Sequence, residues 1–162
     1  MPLTGYMKIP DIDGESQFAD HEDEIDIHGI DWGVLRKGTR VRGGRRPTGR
    51  PVIRPLVVHK FYDAASPYIA LAAMQGKAFD EIVISVRKDS GEAHLDYLTI
   101  TLTNCTLKAY DMFNDGQDDP LNLISERVGI NAEKIKILYT VQADDHSAGD
   151  EHEIEYDIVA GV

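Results

Sequence analysis

Glu24-Ile25-Asp26-Ile27-His28-Gly29-Ile30-Asp31-Trp32 is the stretch on which the fold turns. Ile25 and Ile27 share one parity, Ile30 and Trp32 share the other, and Gly29 lies at the switch. Side chains of a strand alternate between faces, so an unbroken strand would point one of these pairs into water. A β-bulge at Gly29 turns both pairs toward one core, and such bulges let a sheet curl until it closes. The stretch predicts a barrel rather than an open sheet.

The rest of the chain reads the same way. Ile82, Ile84 and Val86 recur at period two, as do Leu98, Ile100 and Leu102, then Ile135, Ile137, Tyr139 and Val141. Ile154, Tyr156 and Ile158 alternate with Glu153, Glu155 and Asp157, the mark of a strand with one wet face. A second slip of phase separates Leu102 from Cys105 and Leu107. One helix is signalled over about residues 66–76, with Ser66 as N-cap, Pro67 at the first helical position and Gly76 to end it. Its nearly uncharged interior must lie against something. Residues 36–55 read as one long extended loop, rich in Gly, Pro and Arg. The fold class expected is mainly β: a barrel of antiparallel strands with one short helix, in a single domain over 1–162.

Composition narrows the function. In 162 residues, 42% hydrophobic and 28% charged content describes a chain able to fold around a core. No window offers the roughly 18 apolar residues of a membrane span, and Met1–Pro10 has no signal-peptide pattern. Folding in the cytoplasm is expected, with any export left to another machine. The single cysteine, Cys105, excludes an internal disulfide and reads as a buried structural thiol. The net charge of −11 is unevenly spread: residues 36–54 hold eight bases and no acid, whereas 144–157 hold seven acids and no Lys or Arg.

Catalytic signatures are absent from the sequence. Asp20-His21-Glu22-Asp23-Glu24 and Asp144-Asp145-His146 read as solvated charge runs rather than metal sites, lacking ligand spacing. The stretch from Asp111 fails the calcium-loop pattern because its third position is Phe113. There is neither a G-x-S-x-G elbow nor a P-loop. No cofactor, metal or catalytic residue is expected. A hydrolase assembled from distant residues is the weakest reading.

The ordered succession of local strings resembles the haemolysin-coregulated (Hcp) family of type VI secretion. Tyr6-Met7-Lys8-Ile9-Pro10 with Asp13-Gly14-Glu15-Ser16, His21 to Gly33, Val57-Val58-His59-Lys60, Asp63-Ala64-Ala65-Ser66-Pro67, Gly76-Lys77 and Tyr97 to Leu102 carry the likeness. The resemblance implies a phage tail-tube-like barrel that assembles six to a ring. Rings stack into a hollow tube, which a contractile sheath drives out beneath a spike protein. Effector proteins ride in the lumen, and the subunit is itself secreted. Two positions depart from the family pattern. The long loop is arginine-rich where glycines and small residues are usual, and Asp31 stands where a small polar residue is more common. Three readings of the arginines stay open: an inter-subunit contact, a solvated loop, or a nucleic-acid-binding module. The last lacks aromatic residues for base stacking between Arg36 and Arg54. Under the first, Arg40, Arg42, Arg45 and Arg46 reach acids of the adjoining ring, in Asp20–Glu24 or Asp150–Asp157. Asp31 is the candidate for facing the lumen and its cargo.

Overall fold

The computed structural model describes residues 3–38, 48–90, 93–116 and 121–162. Its elements are β1 (Thr4–Lys8), a 3-10 turn (Ala19–His21), β2 (Ile25–Ile27), β3 (Gly29–Asp31), β4 (Val34–Gly38), β5 (Thr48–Ile53), β6 (Leu56–Phe61), α1 (Ser66–Gln75), β7 (Ala78–Ser90), β8 (Ala93–Phe113), β9 (Ser125–Gln142) and β10 (Ala148–Asp157). The main sheet runs β2-β1-β7-β8-β9-β6-β3, with β10 branching from β9, and every pairing is antiparallel.

The two ends of that order, β2 and β3, are halves of one stretch separated only by His28. Ile27 pairs with Gly5 of β1, and Gly29 pairs with His59 of β6. His28 serves both sides: its carbonyl accepts from Leu3 N at 3.2 Å and its amide donates to His59 O at 2.8 Å. The strand path therefore returns on itself here, as the change of parity implies. The device differs from a bulge. No extra residue enters a ladder at Gly29; the chain changes partner instead, leaving Ile25 and Ile27 buried and Ile30 and Trp32 packed against the same core.

The slip in β8 is shared by three strands. Ile82, Leu102 and Ile135 lie side by side facing the core, and three residues along so do Phe79, Cys105 and Ala132. The register stays constant through this kink, which Asn104 absorbs with φ of +52°, a left-handed conformation that Asn tolerates. The centre of the barrel is filled by Met7, Ile25, Leu56, Val58, Ile82, Ile84 and Ile130.

Three further readings change. Residues 36–55 are not one loop: Val34–Gly38 and Thr48–Ile53 pair as a two-stranded ribbon, with Leu35 opposite Val52. Pro51 lacks an N–H and sits where only one neighbouring strand has to be served. Ser66 does not cap α1. The N-cap is Ala65, and the Ser66 hydroxyl turns inward, accepting from Asp63 N at 2.9 Å. Gly76 ends the helix as expected, at φ of +63°, with its amide on Ala72 O and Ala73 O. Finally, Ile154 is 58% exposed, so β10 is wet on both faces for most of its length. Among the described residues no helix is long and apolar enough to cross a membrane.

Candidate assembly surfaces

Titratable clusters are where a reaction centre would lie, and the best built of them is buried. Leu56, Val58 and Lys60 share the inward parity of β6, as Glu126, Val128 and Ile130 share that of β9, and Lys60 stands opposite Glu126. Lys60 Nζ donates to Glu126 Oε1 at 2.6 Å, Ser66 Oγ at 2.8 Å, Phe61 O at 3.0 Å and Asp63 Oδ1 at 3.1 Å. Ser66 Oγ also donates to Glu126 Oε1 at 2.7 Å, and the Tyr110 hydroxyl donates to Glu126 Oε2. A lysine whose protons are engaged by carboxylates has no lone pair to act as a base. Ser66, with no exposed surface, meets no substrate. Burial, reinforced by the Glu126 charge, pushes the Tyr110 phenol well above its ordinary range. The cluster ties the entry of α1 to the barrel wall.

The other expected sites resolve as follows. The run Asp20–Glu24 is not simply solvated: His21 is buried, stacked on Tyr6, and meets Glu24 and Asp96 with its two ring nitrogens. No cluster of metal-ligating residues forms there or elsewhere among the described residues. Asp145 and His146 lie in an exposed turn, where the Ser147 hydroxyl and amide hold the Asp145 carboxyl below the usual range. Cys105 is buried and burial pushes its thiol up to about 11, which suppresses the reactive thiolate. Asp31 is exposed on β3 opposite Val57, at the rim of a hollow shared with Trp32, Arg54, Pro55 and Val57. Arg40, Arg42, Arg45 and Arg46 lie outside the described residues.

What the molecule leaves open to solvent is sheet edge and apolar surface. β10 pairs only with β9, so its outer row of backbone groups has no strand beside it among the described residues. Ile154, Tyr139 and Val141 leave apolar surface exposed on this pair of strands, at 58%, 40% and 38%. Two salt bridges, Lys134–Glu155 and Lys136–Glu153, lace it. The ribbon β4–β5 contacts chiefly itself and exposes Val34, Leu35 and Val52. Arg36 and Arg50 border a hollow between the ribbon and Tyr156 and Ile158 near the end of β10. A third patch lies at the other end of β6 from the ribbon, where exposed Phe61 and Phe113 flank Ser125 on one face, with the Arg127 guanidinium 5.7 Å from the Phe113 ring centre. An isolated two-stranded ribbon is marginal in water, and an open edge invites a further strand. These three surfaces present strand edge and apolar side chains to solvent.

Sequence reasoning missed the Lys60–Glu126 pair and the third patch. Its available signal was charge on the apolar parity of two strands, Lys60 beside Val58 and Glu126 beside Val128; the pairing of those strands was needed to join them.

Comparison with known proteins agrees with this architecture. The chain is 29% identical to the Hcp1 protein of Pseudomonas aeruginosa over 145 residues, 90% of this chain and 88% of that one. A solved type six secretion system protein superposes with a TM-score of 0.88 at 23% identity, covering 99% of this chain and 98% of the other. Hcp1 from Salmonella typhimurium gives 0.79 at 24% identity, over 99% and 97%. Residues 6–139 match the family described as type VI secretion system effector, Hcp, and the chain belongs to that family.

Proposed function

We propose that the chain is the ring-forming subunit of a type VI secretion inner tube, with six copies to a ring and rings stacked head to tail. The family is one of structural secretion tube proteins, and it supports assembly of this chain with itself and with other components of the system. The observation that carries the finer reading is the open edge of β10 beside exposed Ile154, Tyr139 and Val141. Such an edge gains hydrogen bonds and buries apolar area when a neighbouring copy lies along it. Stacking is heterologous and needs two different faces, and the ribbon and the Phe61–Phe113 patch lie at opposite ends of β6. In this reading Arg40, Arg42, Arg45 and Arg46 meet acids of the next ring, and Asp31 faces the lumen. Effector proteins occupy that lumen, a spike protein closes the tip, and a contractile sheath surrounds the tube. The subunit leaves the cytoplasm through this machine and performs no reaction of its own.

Mass measurement of the full chain at neutral pH, with electron microscopy of the same sample, tests the reading. Six-fold rings with a central hole are expected. A monomer persisting at high concentration overturns it. Charge reversal at Arg40, Arg42, Arg45 and Arg46 is expected to abolish stacked tubes while rings persist. High salt acts in the same direction, because the Debye length is about 8 Å already at physiological strength. Tubes indifferent to both treatments remove the arginines from the interface.

A further inference from the structure

Strand register decides which backbone groups of an edge are free. In an antiparallel pair, opposite residues alternate between those that exchange both hydrogen bonds and those whose N–H and C=O point away from the partner. Ile158 N donates to Glu133 O at 2.8 Å, which continues the β9–β10 register and marks a bonded pair. Counting back by alternation, Asp157, Glu155, Glu153 and Glu151 turn their N–H and C=O outward. At Asp157 the chain end takes these groups up: its N–H donates to Val162 O, and its C=O accepts from Gly161 N. Among the described residues no strand lies beside those of Glu151, Glu153 and Glu155.

The same count applies to the ribbon. Arg54 N donates to Gly33 O at 3.0 Å, so Leu35 and Val52 also form a bonded pair. Val34 and Arg36 of β4, and Ile53 and Pro51 of β5, therefore face their backbone groups outward. Pro51 has no N–H to offer, which leaves a gap in the outer edge of β5. The outer edge of β4 keeps both donors. Among the described residues this edge too has no strand beside it.

The two open edges are complementary in composition. Across an antiparallel ladder, outward groups meet outward groups, so Val34 and Arg36 stand opposite odd-numbered residues of β10. The register that joins apolar residues sets Leu35 opposite Ile154, Arg36 opposite Glu153 and Val34 opposite Glu155. Leu35 and Ile154 are 52% and 58% exposed as single chains. Side by side they extend the row Ile100, Ile137, Ile154 onto Leu35 and Val52 of a second copy. Glu153, held on one flank by Lys136, gains a guanidinium on the other. Net charge acts in the same direction: residues 36–54 hold eight bases and no acid, and residues 144–157 seven acids and no Lys or Arg.

We propose that the outer edge of β4 in one copy pairs antiparallel with the outer edge of β10 in the next, with Leu35 opposite Ile154. This rests on the ring reading above and names the second half of its contact. The two edges differ and each copy carries both, so the contact repeats from copy to copy as closure of a ring requires.

Oxidative cross-linking of the full chain carrying Leu35→Cys and Ile154→Cys tests the pairing, beside mass measurement of the unaltered chain. Opposite residues of such a ladder bring their Cβ atoms to about 4.5–5.5 Å, from which a disulfide closes with a small shift. A series of covalent oligomers on a non-reducing gel is expected. Leu35→Cys with Glu155→Cys, whose side chains take opposite faces, should give none. Glu153→Pro removes one outward N–H and no bond to β9, so rings should be lost while the monomer keeps its fold. Where that variant fails to fold, the cysteine pair decides alone. Rings of the unaltered chain with no covalent oligomers from the cysteine pair, or rings that survive Glu153→Pro, overturn this pairing and leave the ring reading standing. A monomeric unaltered chain overturns both.

Discussion

Lys60 and Glu126 stand on strands that otherwise turn aliphatic side chains inward, and neither exposes more than 1% of its surface. A buried pair is costly to desolvate, and breaking it leaves a lone charge in the core. Glu126→Ala or Lys60→Ala should therefore destabilise the chain by about 3–5 kcal/mol, whereas Lys60→Met with Glu126→Leu should recover most of the loss. Urea denaturation of the three variants measures this. His28 makes the second case. Burial, and then the nearby His59, lower its pKa from the ordinary value of 6.5. The unfolded chain thus binds the proton more readily, and stability falls as pH drops below about 6.5. Asp26, raised by burial above its ordinary 3.8, acts in the opposite sense but in a more acid window. Comparing Tm at pH 7.5 and pH 5.5 for the parent and for His28→Asn should show the parent losing more on acidification.

Elements were legible in the sequence to the extent that one physical rule governed them. β7, β8 and β9 are legible by period on either side of the slip that Asn104 absorbs; α1 is marked by Pro67 and Gly76. The ribbon was not legible, because Pro51, Gly49 and the arginines carry the composition of a loop while Val34, Leu35, Val52 and Ile53 pair across it. Ser66 has the residue type of a cap, but its partner Lys60 lies on another element and draws the hydroxyl inward. Among the assembly surfaces, the exposure of Ile154 could not be read from its parity, which resembles that of a buried strand; what decides it is that β9 ends the packed layer there. Gly76 allows a direct test at this scale. An added methyl meets nothing within 4 Å, so Gly76→Ala isolates the cost of a left-handed residue. Thermal melting should report a loss of about 1–2 kcal/mol, with the fold intact.

At the scale of the whole molecule, the wall is made of two kinds of contact. β7, β8 and β9 pair over long ladders, from Ser90 opposite Ala93 to Leu98 opposite Tyr139. The join at His28 links residues 3–7 and 57–59 through a single short stretch, with three paired positions on either side. Three paired positions on either side give this join fewer ladder bonds than the long pairings of β7, β8 and β9. The seam is thus the place where the wall parts first during breathing. Native-state hydrogen exchange should find the amides of Ile27, His28 and Gly29 opening at lower free energy than those of Ile84 and Ile100. A barrel with such a zip can loosen along one line while the rest of its staves keep their order.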